Sequence, residues 1–236
     1  MLTLFFVEDL PTSIGAIYEF DGDDAHHAVR VLRMTAGEVF MLSDGAGAWS
    51  EVKVFAVKKK SLEVQVLSTG FQEPLRTSIT VVQAIPKGDR AKEAIELLTE
   101  SGVDTIIPWT SSRSIGKGTD KYAITAREAS KQSRRLRIPH VVDAAGTDQI
   151  CALIKQSSCT VVFHESATQG LSDLKLPLGI ANLVIIIGPE GGITDEELAR
   201  FTDAGAMLSR MGRPVLRSAH AGIAAVSALC AKLQVW

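Results

Sequence analysis

The hydrophobic pattern changes period near residue 70. Before it, apolar and polar residues alternate over short stretches. In SLEVQVL (61–67), Leu62, Val64 and Val66 share one face and Glu63 and Gln65 the other, the period-two signature of a half-buried strand. EVFMLSD and AWSEVKVFAV flank a turn at Gly45-Ala46-Gly47, and Lys58-Lys59-Lys60 reads as a second hairpin turn. One helix interrupts these strands: in DDAHHAVRVLRM, Ala25, Val29 and Leu32 recur at helical spacing. The expectation is a small β-barrel carrying one helix. The polar, turn-rich STGFQEPLRTS (68–78) reads as a linker, which places two domains at 1–72 and 73–236.

After the linker, strands alternate with helices. SITVVQAIP leads into DRAKEAIELLTESG, a helix that Gly102 can end. VDTIIPW, the helix KYAITAREASKQSRR, Val141-Val142, the helix DQICALIKQS, CTVVFHE and LVIII follow in turn. TDEELARFTDAG, AMLSRM and the helix SAHAGIAAVSALCAKL complete the chain. This alternation predicts an α/β domain, a mostly parallel sheet covered by helices. Ligands of such sheets bind at the carboxyl ends of the strands.

One of those ends carries an unusual loop. In LVIIIGPEGG (183–192) a buried strand runs into Gly188-Pro189-Glu190-Gly191-Gly192. Phosphate loops work through free backbone N–H groups at a helix N-terminus. Here Pro189 removes a donor, and Glu190 places a negative charge where an anion would sit. The next helix starts late, because Thr194-x-x-Glu197 forms a capping box that uses two of its N-terminal donors. Neither phosphate-binding fingerprint, G-x-x-x-x-G-K-[ST] or G-x-G-x-x-G, occurs in the chain. The loop is either a tight structural turn or a site for a ligand without phosphate, and S-adenosylmethionine, with its adenosine and sulfonium cation, has the required chemistry.

A second loop lies in MGRPVLRSAHAGIAAVSAL (211–229), where Gly212 and Pro214 break the chain straight after a strand and a helix opens near Ser218. Gly222 costs that helix about 1 kcal/mol unless something packs closely against it. Ala224, Ala225 and Ala228 read as a small-residue face packed on the core. Arg213 and Arg217 stand beside the loop, where a guanidinium can meet RNA or form a structural ion pair.

Composition narrows the class. The 236 residues carry 25 Lys+Arg against 27 Asp+Glu, a net charge of −2, so any nucleic-acid surface must be local. Cys151, Cys159 and Cys230 are odd in number and form no C-x-x-C, which argues against a disulfide framework or zinc site and for a reducing cytoplasm. MLTLFFVEDL has no basic start and is interrupted by Glu8 and Asp9, so no signal peptide is expected. No apolar run approaches the roughly 18 residues of a membrane span.

Four stretches in order now carry a resemblance: HHAVRVLRMTAGE (26–38), PKGDRAKEAIELLTESGVDTIIPWTSSRS (86–114), KQSRRLRIP (131–139), and IIIGPEGGITDEE with MGRPVLRSAHAG downstream. They resemble the SPOUT-class RNA methyltransferases and, within that class, the RsmE group, which methylates N3 of a uridine in bacterial 16S rRNA. The resemblance implies a PUA-like β-barrel followed by an α/β domain with a trefoil knot, S-adenosylmethionine as donor, small-subunit rRNA as substrate and a homodimer. It maps the cofactor loop onto Gly188, Pro189, Glu190, Gly191 and Gly192 and the knot loop onto Met211, Gly212, Val215, Leu216 and Arg217, all but Arg217 being assigned to the cofactor. The chain departs from the group in reading Ser218-Ala219-His220 where Thr-Glu-Thr is usual, and in Leu97 and Lys131, which align with a lysine and a glutamate. Two other readings remain compatible: a SPOUT ribose 2′-O-methyltransferase of tRNA or rRNA, and an RNA-binding assembly factor without activity.

The N3–H of uracil is a weak acid, so methylation there needs a proton acceptor or a cation beside the uracil anion. Arg217 is the candidate cation. Glu190 is the candidate base, or else a ligand for ribose hydroxyls. Lys131, Arg134, Arg135, Arg137 and His140 fall within ten residues that contain no acid, a candidate RNA patch or a solvated helix end. Arg30 and Arg33, read as one turn apart on the barrel helix, form a second patch. His26 and His27 lack metal-ligand spacing, and no metal is expected.

Overall fold

The computed structural model describes residues 2–116 and 118–235. They divide into two compact units, Met1–Pro74 with Ser130–Ile138, and Leu75–Ala129 with Pro139–Trp236. The short segment 130–138 thus packs with the N-terminal unit, although the sequence pattern placed it in the C-terminal region.

The first unit is built on β1 (Leu4–Phe6), β2 (Ile17–Phe20), β3 (Val39–Ser43), β4 (Ala48–Val57) and β5 (Leu62–Phe71), with helix α1 (Gly22–Arg30) between β2 and β3. The strands form one sheet in the order β1-β3-β4-β5-β2. Its pairings are antiparallel except β1 with β3. The expected barrel is therefore open: β1 and β2, of three and four residues, stand at opposite edges and do not pair among the described residues. Alternation in β4 and β5 sends Val52, Val54, Leu62, Val64 and Val66 into a core around Phe5, Phe20 and Phe40, whose rings lie 5.3–5.6 Å apart. Helix α1 adds Ala25 and Ala28 to that core. It ends at Arg30, and Arg33 has φ +54, so Arg30 and Arg33 do not share a helical face.

The second unit contains β6 (Ser78–Ala84), α2 (Arg90–Glu100), β7 (Thr105–Thr110), α3 (Tyr122–Ser133, whose last four residues belong to the first unit), β8 (His140–Val141), β9 (Ala145–Gly146), α4 (Thr147–Gln156), β10 (Cys159–Phe163), β11 (Asn182–Ile187), α5 (Asp195–Asp203), β12 (Met207–Ser209) and α6 (Ser218–Leu233). The sheet order is β12-β10-β11-β6-β7-β8, with β9 also on β7. Every pairing in it is parallel.

Burial on both faces explains the unbroken apolar run of β11. Leu183, Ile185 and Ile187 meet α2 and α6 through Ile95, Leu98, Ala225 and Leu229, while Val184 and Ile186 meet α4 and α5 through Ile150, Ile154, Leu198 and Phe201. Gly222 lets α6 approach α2, since a Cβ there would stand 2.7 Å from Leu98 Cδ2. Of the three alanines assigned to the packed face, Ala225 is fully buried and Ala224 and Ala228 are half-buried. No helix among the described residues is long and apolar enough to cross a membrane.

Candidate active site

Because β6, β11, β10 and β12 are mutually parallel, their carboxyl ends converge. The segments leaving them line one cavity of about 420 Å³, within the range of small-molecule sites. One wall is the turn after β11, supplying Gly188, Pro189, Glu190 and Gly192. The opposite wall is the whole stretch Arg210–Ser218 between β12 and α6. The end of β10 contributes Phe163, His164 and Glu165, and the start of α2 contributes Arg90.

The turn is built as its residues require. Gly192 N–H donates to the Pro189 carbonyl at 2.9 Å, and Gly192 has φ +75, a conformation that favours glycine. Gly188 is confined, since a Cβ would meet Ile193 Cγ1 at 2.6 Å. The capping box forms: Thr194 N–H and Oγ1 donate to Glu197 Oε2 at 3.0 and 2.9 Å, and Glu197 N–H donates to Thr194 Oγ1 at 3.2 Å. With Pro189 lacking an N–H and Gly192 and Thr194 bonded internally, the turn has few donors left for a phosphate. It instead presents carbonyls and the Glu190 carboxylate, which accepts the Lys87 backbone N–H at 3.3 Å. Such acceptors suit hydroxyls and a cation, so the residues present fit S-adenosylmethionine better than a nucleotide phosphate.

The other wall is basic and apolar. Val215 is 76% exposed and Leu216 is exposed beside it. Four arginines (Arg90, Arg210, Arg213 and Arg217) ring the cavity with two carboxylates, Glu165 and Glu190. Arg217 is the N-cap of α6, and its carbonyl accepts the amides of His220 and Ala221, each at 2.9 Å. Its guanidinium has no hydrogen bond or ion pair with another described residue, so the structural-bridge reading has no partner here. His164 is oriented by Ser166, whose backbone N–H donates to Nδ1 at 3.3 Å and whose hydroxyl lies 2.7 Å from it.

Residues 73–230 match the RNA methyltransferase domain family and residues 20–67 the RNA methyltransferase PUA domain family. The ribosomal RNA small subunit methyltransferase E of Mycobacterium tuberculosis is 36% identical, covering 99% of this chain and 93% of that protein. The chain belongs to the ribosomal RNA small subunit methyltransferase E family. The family member from Bacillus subtilis is 30% identical, over 97% of this chain and 93% of its own length. Among solved structures, a family member from Neisseria gonorrhoeae bound to S-adenosylmethionine superposes with a TM-score of 0.86 at 26% identity, covering 98% of each chain. A methyltransferase from Legionella pneumophila, also in complex with this cofactor, gives the same values.

Within this family fold, eight of the nine residues assigned to the cofactor line the cavity: Gly188, Pro189, Glu190, Gly192, Met211, Gly212, Val215 and Leu216. Gly191 does not. Its carbonyl accepts Arg113 Nη1–H at 2.9 Å, and a side chain there would press on Arg113, with the Cβ 3.3 Å from Arg113 Cβ. Sequence reasoning missed Arg90, His164, Glu165 and Arg210. The available signal was position alone, each standing at a strand end or at the helix start that follows one.

The proposed basic stretch is largely engaged within the N-terminal unit. Lys131 pairs with Asp24 at 2.8 Å, both side chains mostly buried. Arg134 Nε–H donates to the Leu2 carbonyl at 2.9 Å. Arg137 donates twice to the Gln72 carbonyl, at 3.0 and 2.8 Å, and lies over the Phe71 ring at 5.1 Å. Lys131, Arg134 and Arg137 thus have intramolecular partners, which the absence of neighbouring acids in the sequence concealed, because those partners are backbone carbonyls and a distant aspartate. In the departing Ser-Ala-His stretch, Ser218 and Ala219 are buried, and His220 Nε2 lies 3.0 Å from Glu93 Oε1 on α2.

Proposed function

We propose that this protein methylates N3 of a uridine in the 16S rRNA of the small ribosomal subunit, using S-adenosylmethionine. One observation carries the reading: two loops distant in sequence, 188–192 and 210–217, close a single cavity rich in acceptors and cations in a chain whose family members bind this cofactor. The cofactor supplies a methyl group already activated on a sulfonium. The protein must therefore hold and align. Gly188, Pro189, Gly192, Met211, Gly212 and Leu216 hold the donor by backbone and apolar contact, and Glu190 takes ribose hydroxyls or the N3 proton. Arg217 stabilises the uracil anion as its proton leaves. The open five-stranded unit, placed at 1–72, serves as a PUA-like RNA-binding domain, and 73–236 as the transferase domain. The trefoil knot assigned to this domain rests on the SPOUT resemblance. The homodimer rests on the family resemblance, and a species of only ~25 kDa in sedimentation would refute that assembly. The chemistry belongs in the cytoplasm, where small subunits are made.

The test is to incubate small subunits lacking the modification with the protein and labelled donor, and to read the rRNA by reverse transcription. A methyl on N3 blocks the Watson–Crick edge, so label with a strong stop at one uridine is expected. Label without a stop at normal nucleotide levels would indicate ribose methylation. No label would indicate an assembly factor.

The RNA phosphates are assigned first to the cavity rim. Arg90 and Arg213 are exposed, and their guanidinium groups have no hydrogen bond or ion pair among the described residues. Replacing both with alanine is expected to weaken RNA binding and flatten its log–log salt dependence by roughly one to two units. Arg30, Arg33 and Arg135 are further proposed RNA contacts within the first unit, and changing Lys131, Arg134 or Arg137 should also lower stability through the contacts they make. An unchanged salt slope in the Arg90 and Arg213 variant, with a reduced slope on neutralising 131–137, would return the RNA site to that stretch.

A further inference from the structure

Gln83 is the polar exception on the buried face of β6, 1% exposed among Val81, Leu98 and the first turns of α6. The hydrogen-bond network sets its amide orientation. Nε2 donates to the Ala84 carbonyl at 3.1 Å and to Ser218 Oγ at 2.9 Å, and a flipped amide would set oxygen against oxygen at Ala84. Oε1 then has no partner among the described residues; it faces Gly222, where a Cβ would come within 3.3 Å. An orphaned buried acceptor is destabilising, so the side chain is poorly explained as a stability device.

What the amide does is aim a hydroxyl. Ser218 Oγ accepts from Gln83 and donates its own proton to the Gly188 carbonyl at 2.7 Å. Gly188 begins the turn after β11, and Ser218 is the first residue of α6, directly after the 210–217 loop. A hydrogen bond between them therefore ties together the two walls of the cavity. Because Gln83 Nε2–H occupies a lone pair of Ser218 Oγ, the hydroxyl's own proton is turned toward Gly188.

We infer that Gln83 and Ser218 form a buried strut whose function is to hold the cofactor turn in register with the 210–217 loop, with both acting as positioning residues. The inference rests on the reading of this cavity as the S-adenosylmethionine site. Gln83 does not line the cavity, so its effect on a ligand must pass through Ser218.

The test uses the full-length protein, calorimetry with S-adenosylhomocysteine, thermal unfolding, and amide exchange of the free protein at Gly192, whose N–H closes the turn. Ser218→Ala should raise the Kd about tenfold, the worth of one buried hydrogen bond, and speed Gly192 exchange by a similar factor. Ser218→Thr should restore both. Gln83→Leu should also weaken binding severalfold while leaving the melting temperature unchanged or raised, since it removes the orphaned oxygen. The double variant should bind no worse than the weaker single one, because both break the same strut. Additive losses, or Gln83→Leu losing stability and keeping affinity, would overturn the inference in favour of ordinary core packing. If the wild-type protein does not bind S-adenosylhomocysteine, the cofactor reading fails. Gly192 exchange in the free variants then still decides the strut: unchanged exchange in Ser218→Ala would end it.

Discussion

Arg217→Ala is expected to lower kcat by about 10²–10³-fold and to change the Kd for S-adenosylhomocysteine by no more than about threefold. The argument is one of timing. The proposed partner of the guanidinium is the uracil anion, which exists only along the reaction path, so the contact is made in the transition state and not with the bound cofactor. The fold should tolerate the change. Arg217 caps α6 through its backbone carbonyl and makes no side-chain cap bond, so alanine keeps the helix start. Arg217→Lys should recover part of the rate, as it keeps the charge but not the planar fork. Single-turnover kinetics on small subunits, beside calorimetry for the cofactor, separates the two terms. Equal losses in rate and affinity would reassign Arg217 to holding the 210–217 loop.

Legibility in the sequence followed the range of the interaction. The parallel sheet was visible in β11, because burial on both faces demands an unbroken apolar run. The capping box at Thr194 was visible because its partners lie three residues apart. The two loops that line the cavity were visible as glycine and proline breaks directly after strands. Contacts between distant residues were not. Nothing local marks Gln83 as the residue behind Ser218, or Ser112 as a partner of Glu197. The basic stretch 131–137 looked free for RNA because the partners of Lys131, Arg134 and Arg137 are Asp24 and two backbone carbonyls, Leu2 and Gln72. Helical spacing held for Ala25 and Val29, but α1 ends at Arg30, so Leu32, which is exposed, and Arg33 both fall outside it. Alternation showed the strands of the first unit without showing whether its edges meet, since the same period serves an open sheet and a closed barrel.

Glu197 carries the second large expectation. The residue is 3% exposed, and its partners among the described residues include no Lys or Arg. Oε2 takes the two Thr194 donors, and Oε1 takes the Ser112 N–H at 2.8 Å, the Ser112 hydroxyl at 3.0 Å and, more weakly, Thr147 Oγ1 at 3.5 Å. Burial pushes its pKa up. The backbone N–H groups of Ser112 and Thr194 and their hydroxyls more than reverse this, holding it below the usual carboxylate value. A pKa lower in the folded than in the unfolded chain means that folding favours the ionised form. Its contribution is therefore present above the unfolded value of about 4.3 and is lost as pH falls through the lower folded value. Glu197→Gln turns an amide N–H₂ toward donors and removes the charge from several hydrogen bonds. At neutral pH this should cost about 2–4 kcal/mol, a fall in melting temperature on the order of 10 °C for a chain of this size. The gap between variant and wild type should narrow as pH drops from about 5 toward 3, because the wild type then loses what the variant never had. A gap that stays constant over that range would show that the charge contributes nothing and shape alone was lost. Cofactor affinity should fall with stability, because Glu197 fixes the start of α5 behind the Gly188–Gly192 turn, and the Ser112 segment it holds also carries Arg113, whose guanidinium bonds the Gly191 carbonyl.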